Sequence, residues 1–373
     1  MIFTGTSGNL SVALYIASLA EVGQNRTLTR VEIAAIAWGV NITSGIINTF
    51  GTKAIGAMSS FNVWWTLCGT FVLVITLLVK APERNSASFV FTDFGKLAVP
   101  WAVYTLEGCE TAAQVSEESR NAELLAPLGV ILSIVGSYII GLAYMLALLF
   151  AVQSIPSVQT SAFAIPIAQL YHDAVGRDLT IVCLTVIALA QFMAAVTAFT
   201  ASSRLMYALA RDDAVPAKGV FMRLNRWQAP YAGVWVSVLI GCAISCAYIG
   251  SVIAFNAILS AVAVSVMLSY LQPIIIRVFW PDSLPERGPI TLGRFSWAIN
   301  FASFAFTTFI CILFILPTAH PVNELNMNYA VVAVGGLLLL VTAAWALWGR
   351  YHFVGSVHTN IDLKTDHVDA KEG

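Results

Sequence analysis

The sequence predicts an all-α integral membrane protein with about ten transmembrane helices. Hydrophobic residues make up 58% of its 373 residues and charged residues only 10%, whereas soluble domains carry about 25% charged residues. The mean hydropathy is +0.80. Runs of about 20 apolar residues, each long enough to cross a bilayer, recur along the chain. They lie at residues 2–21, 31–50, 57–79, 97–117, 127–152, 178–209, 230–251, 253–278, 296–317 and 327–349.

Most of these spans are separated by short polar connections. The fourth is interrupted near its middle, and the seventh and eighth are nearly continuous, with a turn expected near Gly250 and Ser251. The sequence becomes polar after Arg350. We therefore predict a transmembrane domain over residues 1–350 and a cytoplasmic polar tail over residues 351–373.

The distribution of basic residues predicts the orientation. With the C-terminus in the cytoplasm and ten alternating spans, thirteen of the nineteen Lys and Arg residues fall on the cytoplasmic side. The densest group, from Arg204 to Arg226, is among them. Cytoplasmic loops of membrane proteins carry such an excess, which supports both the number of spans and the orientation.

Several classes of function are disfavoured by composition and spacing. The net charge is −1, so no basic field attracts nucleic acid. The six cysteines lie in apolar runs and show neither disulfide nor zinc-ligand spacing. The sequence contains no phosphate-binding loop or nucleophile constellation. We therefore expect neither an enzyme, nor a cofactor, nor a nucleic-acid partner.

The interrupted span 97–117 is the most informative feature. Glu107 and Glu110 lie beside Gly108 at mid-membrane depth, where each charge costs roughly 2.5 kcal/mol or more. Such carboxylates persist only where they face a bundle interior or a water-filled cavity. The glycine lets the backbone open, which a binding cavity tolerates and lipid does not. An interrupted helix of this kind indicates the binding site of a secondary transporter.

Four stretches resemble motifs of one transporter family. Residues 108–121, beginning Gly108-Cys109-Glu110-Thr111, are similar to its sixth-helix pattern, G-F-E-A followed by E-E-x-K-N-P. Residues 203–216 resemble its "sR…yalaRDg.lP" pattern after the eighth helix. Residues 48–53 resemble its "N..G.K" loop, and residues 166–176 its outer-loop helix. The chain thus resembles the amino acid–polyamine–organocation transporters, specifically the fungal GABA and choline permeases.

The sequence departs from the family motifs at three positions, and the resemblance implies a fold. Cys109 replaces an aromatic residue, Ala122 a proline and Asp213 a glycine. The family fold has two inverted five-helix repeats plus two further helices. Span 97–117 corresponds to its sixth helix and span 2–21 to its third, so its first two helices have no counterpart here. The expected fold is therefore a (5+5+2) transporter fold truncated at the N-terminus.

In such folds, amides at free helix N-termini attract a substrate carboxylate, and carbonyls at C-termini attract an amine. Glu110 matches the family's glutamate and is expected to hold the unwound segment by hydrogen bonds to backbone. Glu107 is not part of the matched pattern, and the hypotheses for it are that it binds a substrate amine, carries a coupling proton or pairs with a polar neighbour. The alternative to a binding site at this span is an ordinary glycine kink in a helix bundle with a packed interior. The predicted binding residues of this span are Tyr104, Thr105, Leu106, Glu107, Gly108, Cys109 and Glu110.

Polar residues also interrupt span 178–209. Gln191 and Thr197 are candidates for substrate binding, because polar side chains at apolar depth can line a pathway or coordinate an ion. Thr200, Ser202 and Ser203 share that depth. Alternatively, these groups bond to neighbouring helices or to their own backbone.

Charged residues near the cytoplasmic helix ends are candidates for an inner gate. In this hypothesis, salt bridges formed by Glu117, Glu118, Arg204 and Arg211 break when the cavity opens inward. The alternative is that these residues anchor the helices at the membrane face and control topology.

The predicted function is secondary transport of an amino acid, GABA, choline or a related small amine by alternating access. The resemblance implies proton coupling, so the expected coupling ion is H⁺. Expected partners are the small-molecule substrate and membrane lipid; the oligomeric state is open. The plasma membrane is the default location and an organelle membrane the alternative. Alternative functions are a truncated inactive permease fragment and a nutrient sensor that retains the fold.

Overall fold

The structure is a computed structural model that describes residues 1–92, 121–281, 289–316 and 327–353. Over these residues, nine helices are long and apolar enough to cross a membrane. They confirm nine of the predicted spans. The interrupted span at 97–117 and the tail from residue 354 lie outside the described residues.

The helices are numbered here in chain order. They are α1 Ile2–Gln24, α2 Arg30–Thr49, α3 Thr52–Lys80, α4 Ala87–Thr92, α5 Ala122–Ala151, α6 Ile155–Gln159, α7 Pro166–Val175, α8 Arg177–Arg211, α9 Lys218–Phe221, α10 Tyr231–Gly250, α11 Val252–Phe279, α12 Ser296–Ile315, α13 Ala330–Ala344 and α14 Arg350–His352. A 3₁₀ turn over Gly293–Phe295 precedes α12, and a π-helical turn over Trp345–Gly349 joins α13 to α14.

Two spans begin five residues earlier than predicted. The helix predicted to start at residue 57 starts at Thr52, and the one predicted to start at residue 127 starts at Ala122. Pro127 lies inside α5 instead of opening it. Hydropathy marks the membrane-embedded part of a helix, whereas backbone hydrogen bonding extends into the polar flanks, so the two boundaries differ. The predicted turn at Gly250 and Ser251 is confirmed, because Ser251 has extended backbone angles between α10 and α11.

The turn between α1 and α2 has local causes. Asn25 ends α1 with a φ of 53°, a left-handed conformation that asparagine tolerates better than most residues. A capping box then opens α2. The Thr29 hydroxyl accepts from the Glu32 amide, and the Glu32 carboxylate accepts from the Thr29 amide. The two helices therefore form an antiparallel pair.

Helices α1, α2, α8 and α10 pack on one another as a central body. Small residues allow their close approach. A Cβ on Gly8 of α1 would lie only 2.9 Å from the Ala195 Cβ of α8, and one on Gly45 of α2 only 2.6 Å from a Val238 methyl group of α10. Close approach through small residues is typical of helix packing in membranes. The remaining spans pack around this body, α3 against α8 and α5, and α11 against α10, α12 and α13.

Helix α7 lies at the end of the body where α1 finishes, and it confirms that the predicted loop segment at residues 166–176 is helical, whereas its outer location stays a prediction. The backbone amides of Ala164 and Ile165, just before α7, donate to the side chains of Glu21 and Ser18 at 2.8 and 3.3 Å. Just after α7, Arg177 Nε donates to the Val22 carbonyl at 2.9 Å. Both ends of α7 are therefore fastened to α1.

A tyrosine pair anchors α7 to α5. The hydroxyl groups of Tyr144 and Tyr171 lie 2.9 Å apart, and Tyr171 is fully buried in a cluster that includes Leu77 of α3 and Leu184 of α8. Burial raises the pKa of the Tyr171 phenol above its ordinary value. The phenol therefore stays neutral, as its apolar surroundings require.

Candidate functional site

The predicted binding residues of the interrupted span lie outside the described residues. This applies to Tyr104, Thr105, Leu106, Glu107, Gly108, Cys109 and Glu110, and to the proposed gate residues Glu117 and Glu118. Their roles stay predictions. The described part of the candidate site consists of the polar face of α8, the helices against it and the loops at their ends.

The hydroxyl groups of α8 form hydrogen bonds to a neighbouring helix and to their own backbone, as the alternative to a binding role predicts. Thr197 Oγ1 donates to the Met193 carbonyl of its own helix at 3.0 Å. The Ser202 hydroxyl lies 3.1 Å from that of Ser237 on α10, and Ser203 donates to the Thr200 carbonyl. Ser202 and Ser203 are buried. These bonds hold helices together; hydroxyl oxygens retain acceptor capacity, so they do not by themselves exclude binding.

Gln191 lies where α8 approaches α1. It is half-buried, and a Cβ on Gly8 would lie 3.4 Å from its Nε2. The structure therefore brings Gln191 next to the Ser7-Gly8-Asn9 stretch of α1, about 1.7 turns along α8 from Thr197. The proposed binding roles of Gln191 and Thr197 remain predictions.

A row of buried polar side chains runs along α2 toward the end where α2 meets α3, here called the inner end. Asn41, Ser44 and Asn48 recur at helical spacing and are at most 2% exposed. Asn9 of α1 donates to Asn41 Oδ1 at 2.8 Å and accepts from the Ser44 hydroxyl at 3.2 Å. Neutral amides and hydroxyls avoid the cost of buried charge, and these bonds satisfy most of their polar atoms.

Asn48 connects this row to α8. Its Nδ2 donates to the Ser44 carbonyl at 2.9 Å and to the Val196 carbonyl of α8 at 3.1 Å. Its Oδ1 accepts from Thr200 Oγ1 at 2.6 Å. A single asparagine thus bonds to two helices, so its position depends on the rotation of both.

A cavity of about 150 Å³ lies at the inner end, beside Asn48 and Thr200. Besides these two residues it is lined by Gly51, Ile55, Ser203, Arg204, Tyr207, Leu224, Gln228, Ala229 and Pro230. Its wall therefore combines the end of α2, the start of α3, the last turns of α8 and the loop before α10. The buried polar row ends at this cavity.

The loop that closes one side of the cavity is held by Asn225. Its Nδ2 donates to the Thr49 carbonyl at the end of α2 at 2.7 Å, and its Oδ1 accepts from the amides of Trp227 and Ala229 at 2.9 and 3.0 Å. Gly51 allows the close approach: its φ is +82°, and a Cβ there would overlap the Trp227 carbonyl oxygen. The inner loop, defined here as residues 222–230, is thus clamped to the α2–α3 turn.

The candidate gate arginines differ in position. Arg204 lines the cavity. Arg211 lies at the end of α8, where its Nε is 3.2 Å from Asp212 Oδ1. Asp213 instead pairs with Lys218 at 2.6 Å. These two ion pairs are local to the turn after α8, and the gate hypothesis stays a prediction.

A model of an amino acid permease family matches residues 1–338 of this chain. The chain belongs to this amino acid permease family. It is a multi-pass integral membrane protein of a transporter family and not an enzyme. The resemblance that the sequence motifs indicated is confirmed.

Relatives come from plants and fungi. The amino-acid permease BAT1 homolog of Oryza sativa subsp. japonica is 32% identical over 356 residues, which cover 90% of this chain and 68% of the relative. The amino-acid permease BAT1 of Arabidopsis thaliana is 28% identical, over 87% of this chain and 67% of the relative. A choline transporter of Saccharomyces cerevisiae is 25% identical, over 94% of this chain and 65% of the relative. The chain spans about two thirds of the length of these relatives.

Two of the motif stretches lie on the same cavity. Asn48 and Gly51 come from residues 48–53, and Ser203 and Arg204 from residues 203–216. Each stretch was predictable separately from its own motif, whereas their contact was not. The buried row was not predicted either. The recurrence of polar residues at positions 41, 44 and 48 within one apolar span was the available signal.

Proposed function

We propose that this permease-family chain carries an amino acid or a related small amine, such as GABA or choline, across a membrane by alternating access coupled to protons. Family membership supports transport of amino acids or amines as the class of function. The plasma membrane is the proposed location. Glu107 is the proposed carrier of the coupling proton or ligand of a substrate amine.

The observation that carries the proposal is the polar row that ends at the inner cavity. A membrane protein gains little from polar groups at depth unless they join helices or face an aqueous space. Asn48 and Thr200 join α2 to α8 through their hydrogen bond, and they also line the cavity. The described polar residues therefore both join α2 to α8 and border a cavity at the end of these helices, which is the arrangement that the proposal requires.

The test is uptake by the purified full chain in proteoliposomes. Labelled amino acids, GABA and choline are supplied outside, with and without an inward proton gradient. We expect saturable uptake of at least one substrate, which the gradient increases and a protonophore abolishes. Glu107→Gln is expected to reduce uptake or remove its pH dependence. Undiminished uptake of a cationic substrate with unchanged pH dependence would exclude both roles of Glu107.

Two further outcomes separate the alternatives. A substrate that raises the melting temperature without being taken up contradicts transport and supports a sensor. Correctly inserted protein that neither binds nor transports any of these compounds contradicts the proposal and supports an inactive fragment. For the gate, Arg211→Glu is expected to reduce transport at unchanged protein level, whereas unchanged transport supports an anchoring role.

A further inference from the structure

Three basic residues are exposed around the inner loop. Lys53 lies in the first turn of α3, and Arg223 and Arg226 lie in the inner loop that is clamped to it. We call these three residues the basic rim. The Asn225 bond to the Thr49 carbonyl and the contact of Gly51 with Trp227 bring the two chain segments together. The basic rim is thus formed by residues about 170 positions apart in sequence.

The rim has no acidic partner in the described part of the chain. None of its three residues forms an ion pair there, and residues 49–60 and 217–230 contain no Asp or Glu. The acids nearest in sequence to Arg223 and Arg226 are Asp212 and Asp213, which pair with Arg211 and Lys218, and Glu32, the nearest to Lys53, pairs with Arg26. The rim therefore presents positive charge to an anionic partner.

Exposed apolar side chains accompany this charge. Phe50 is 48% exposed and packs edge-on against Trp227, with ring centroids 5.3 Å apart. Leu224 of the inner loop is 42% exposed. The Arg226 guanidinium lies 3.8 Å from the Trp227 ring centroid, so its charge is held over the aromatic face. Positive charge mixed with exposed aromatic and aliphatic groups is typical of surfaces that lie in a membrane interface.

The position of the basic rim along the spanning helices agrees with a location in the membrane interface. Spanning helix α2 ends at Thr49 and the next span begins within the first turn of α3, so the rim lies where two spans leave the bilayer. Tryptophan is enriched at that level, next to the headgroups. An anionic lipid at this depth uses both features, because its phosphate meets the basic groups and its acyl chain meets the apolar ones.

We propose that the basic rim binds the headgroup of an anionic phospholipid. The lipid phosphate lies among Lys53, Arg223 and Arg226, and the upper part of an acyl chain lies against Phe50 and Trp227. Because the inner loop also forms part of the cavity wall, the bound lipid stabilises that wall. The proposal does not depend on which substrate is carried, or on transport itself.

The test is the lipid preference of the detergent-purified full chain, measured by native mass spectrometry with equal amounts of phosphatidylserine and phosphatidylcholine. We expect retained phosphatidylserine to exceed phosphatidylcholine in the wild type. Lys53→Gln combined with Arg226→Gln is expected to reduce that preference about tenfold, since each basic residue near an anionic surface contributes substantially to binding. Lys53→Arg combined with Arg226→Lys keeps the charge and is expected to keep the preference.

The matched control is Lys80→Gln combined with Arg84→Gln, which removes two exposed charges at the opposite end of α3. This control is expected to keep the preference. Absence of any preference in the wild type, or equal losses in the two glutamine pairs, would overturn the proposal. Complete displacement of phosphatidylserine by millimolar inorganic phosphate would also overturn it, because the site would then bind a free anion. A melting curve for each variant shows that the protein remains folded.

Discussion

Thr200 on α8 donates a hydrogen bond of 2.6 Å to the side-chain carbonyl of Asn48 on α2, across 152 positions of sequence. The bond is buried, and both residues also border the inner cavity. It therefore joins the packing of the central body to the surface that we propose for transport. Its energetic contribution can be measured directly.

A double-mutant cycle with Asn48→Ala and Thr200→Val is expected to show a coupling energy of about 1 kcal/mol, typical of bonds between helices in membranes. Each single variant leaves a buried polar group with fewer partners, which costs roughly 1–3 kcal/mol. The measurement is the free energy of unfolding during titration of mixed micelles with denaturing detergent. Thr185→Val is the control, because the Thr185 hydroxyl donates only to the Ile181 carbonyl of its own helix. Additive effects would show that the two side chains do not interact.

Gly51→Ala is expected to destabilise the protein by about 1–3 kcal/mol or more, because its φ of 82° with a ψ of −176° is a backbone conformation that essentially only glycine adopts. The overlap with the Trp227 carbonyl oxygen adds to that cost. Gly56→Ala, inside α3, is the control, since a Cβ there meets nothing within 4 Å and alanine favours the helix by up to about 1 kcal/mol. Melting temperatures in detergent distinguish the two. Equal changes in melting temperature for the two variants would mean that the inner loop does not pack closely against Gly51.

Asn225→Ala is expected to release the inner loop from α2, because it removes three hydrogen bonds to backbone. The measurement is the rate of trypsin cleavage after Arg223 and Arg226, which should increase. Asn225→Asp keeps the acceptor for the Trp227 and Ala229 amides but loses the bond to the Thr49 carbonyl. An intermediate rate is therefore expected. Wild-type rates in both variants would contradict the clamp.

Gly241→Ala is expected to separate α10 from the polar row. The added Cβ would lie 2.8 Å from Thr6 Oγ1 and 3.2 Å from Asn41 Oδ1, and the loss of close packing costs roughly 1–3 kcal/mol. Gly250→Ala, at the end of the same helix, meets nothing within 4 Å and is expected to have little effect. Melting temperatures compare the two variants. A neutral Gly241→Ala would show that this interface adjusts freely.

The spans were predictable because each one is a property of a continuous stretch of sequence. Polar positions such as Asn48 and Thr200 were also visible, since each interrupts an apolar run. Their pairing was not. Rotating α2 or α8 by a fraction of a turn would leave the hydropathy unchanged but would break the bond, so the pattern along either helix contains no information on their mutual rotation.

The helix boundaries show the same limit on a smaller scale. Apolar composition placed the third span at residues 57–79, whereas α3 begins at Thr52, because Gly51 supplies the reversal there and the inner loop packs on it. A contact with a segment about 170 residues away thus stabilises a turn that local hydropathy places elsewhere.

The sequence alone determined that this protein is helical, crosses a membrane repeatedly and belongs with the amino acid permeases. A lipid bilayer requires long apolar segments whose backbone hydrogen bonds are satisfied within the segment. Each segment meets this requirement through its own sequence. Only the tertiary structure decided that Asn9, Asn41, Ser44 and Asn48 form one buried row, that the row ends at a cavity, and that Asn225 clamps a basic loop beside it. These contacts depend on distances between distant segments, which are defined only when the helices pack.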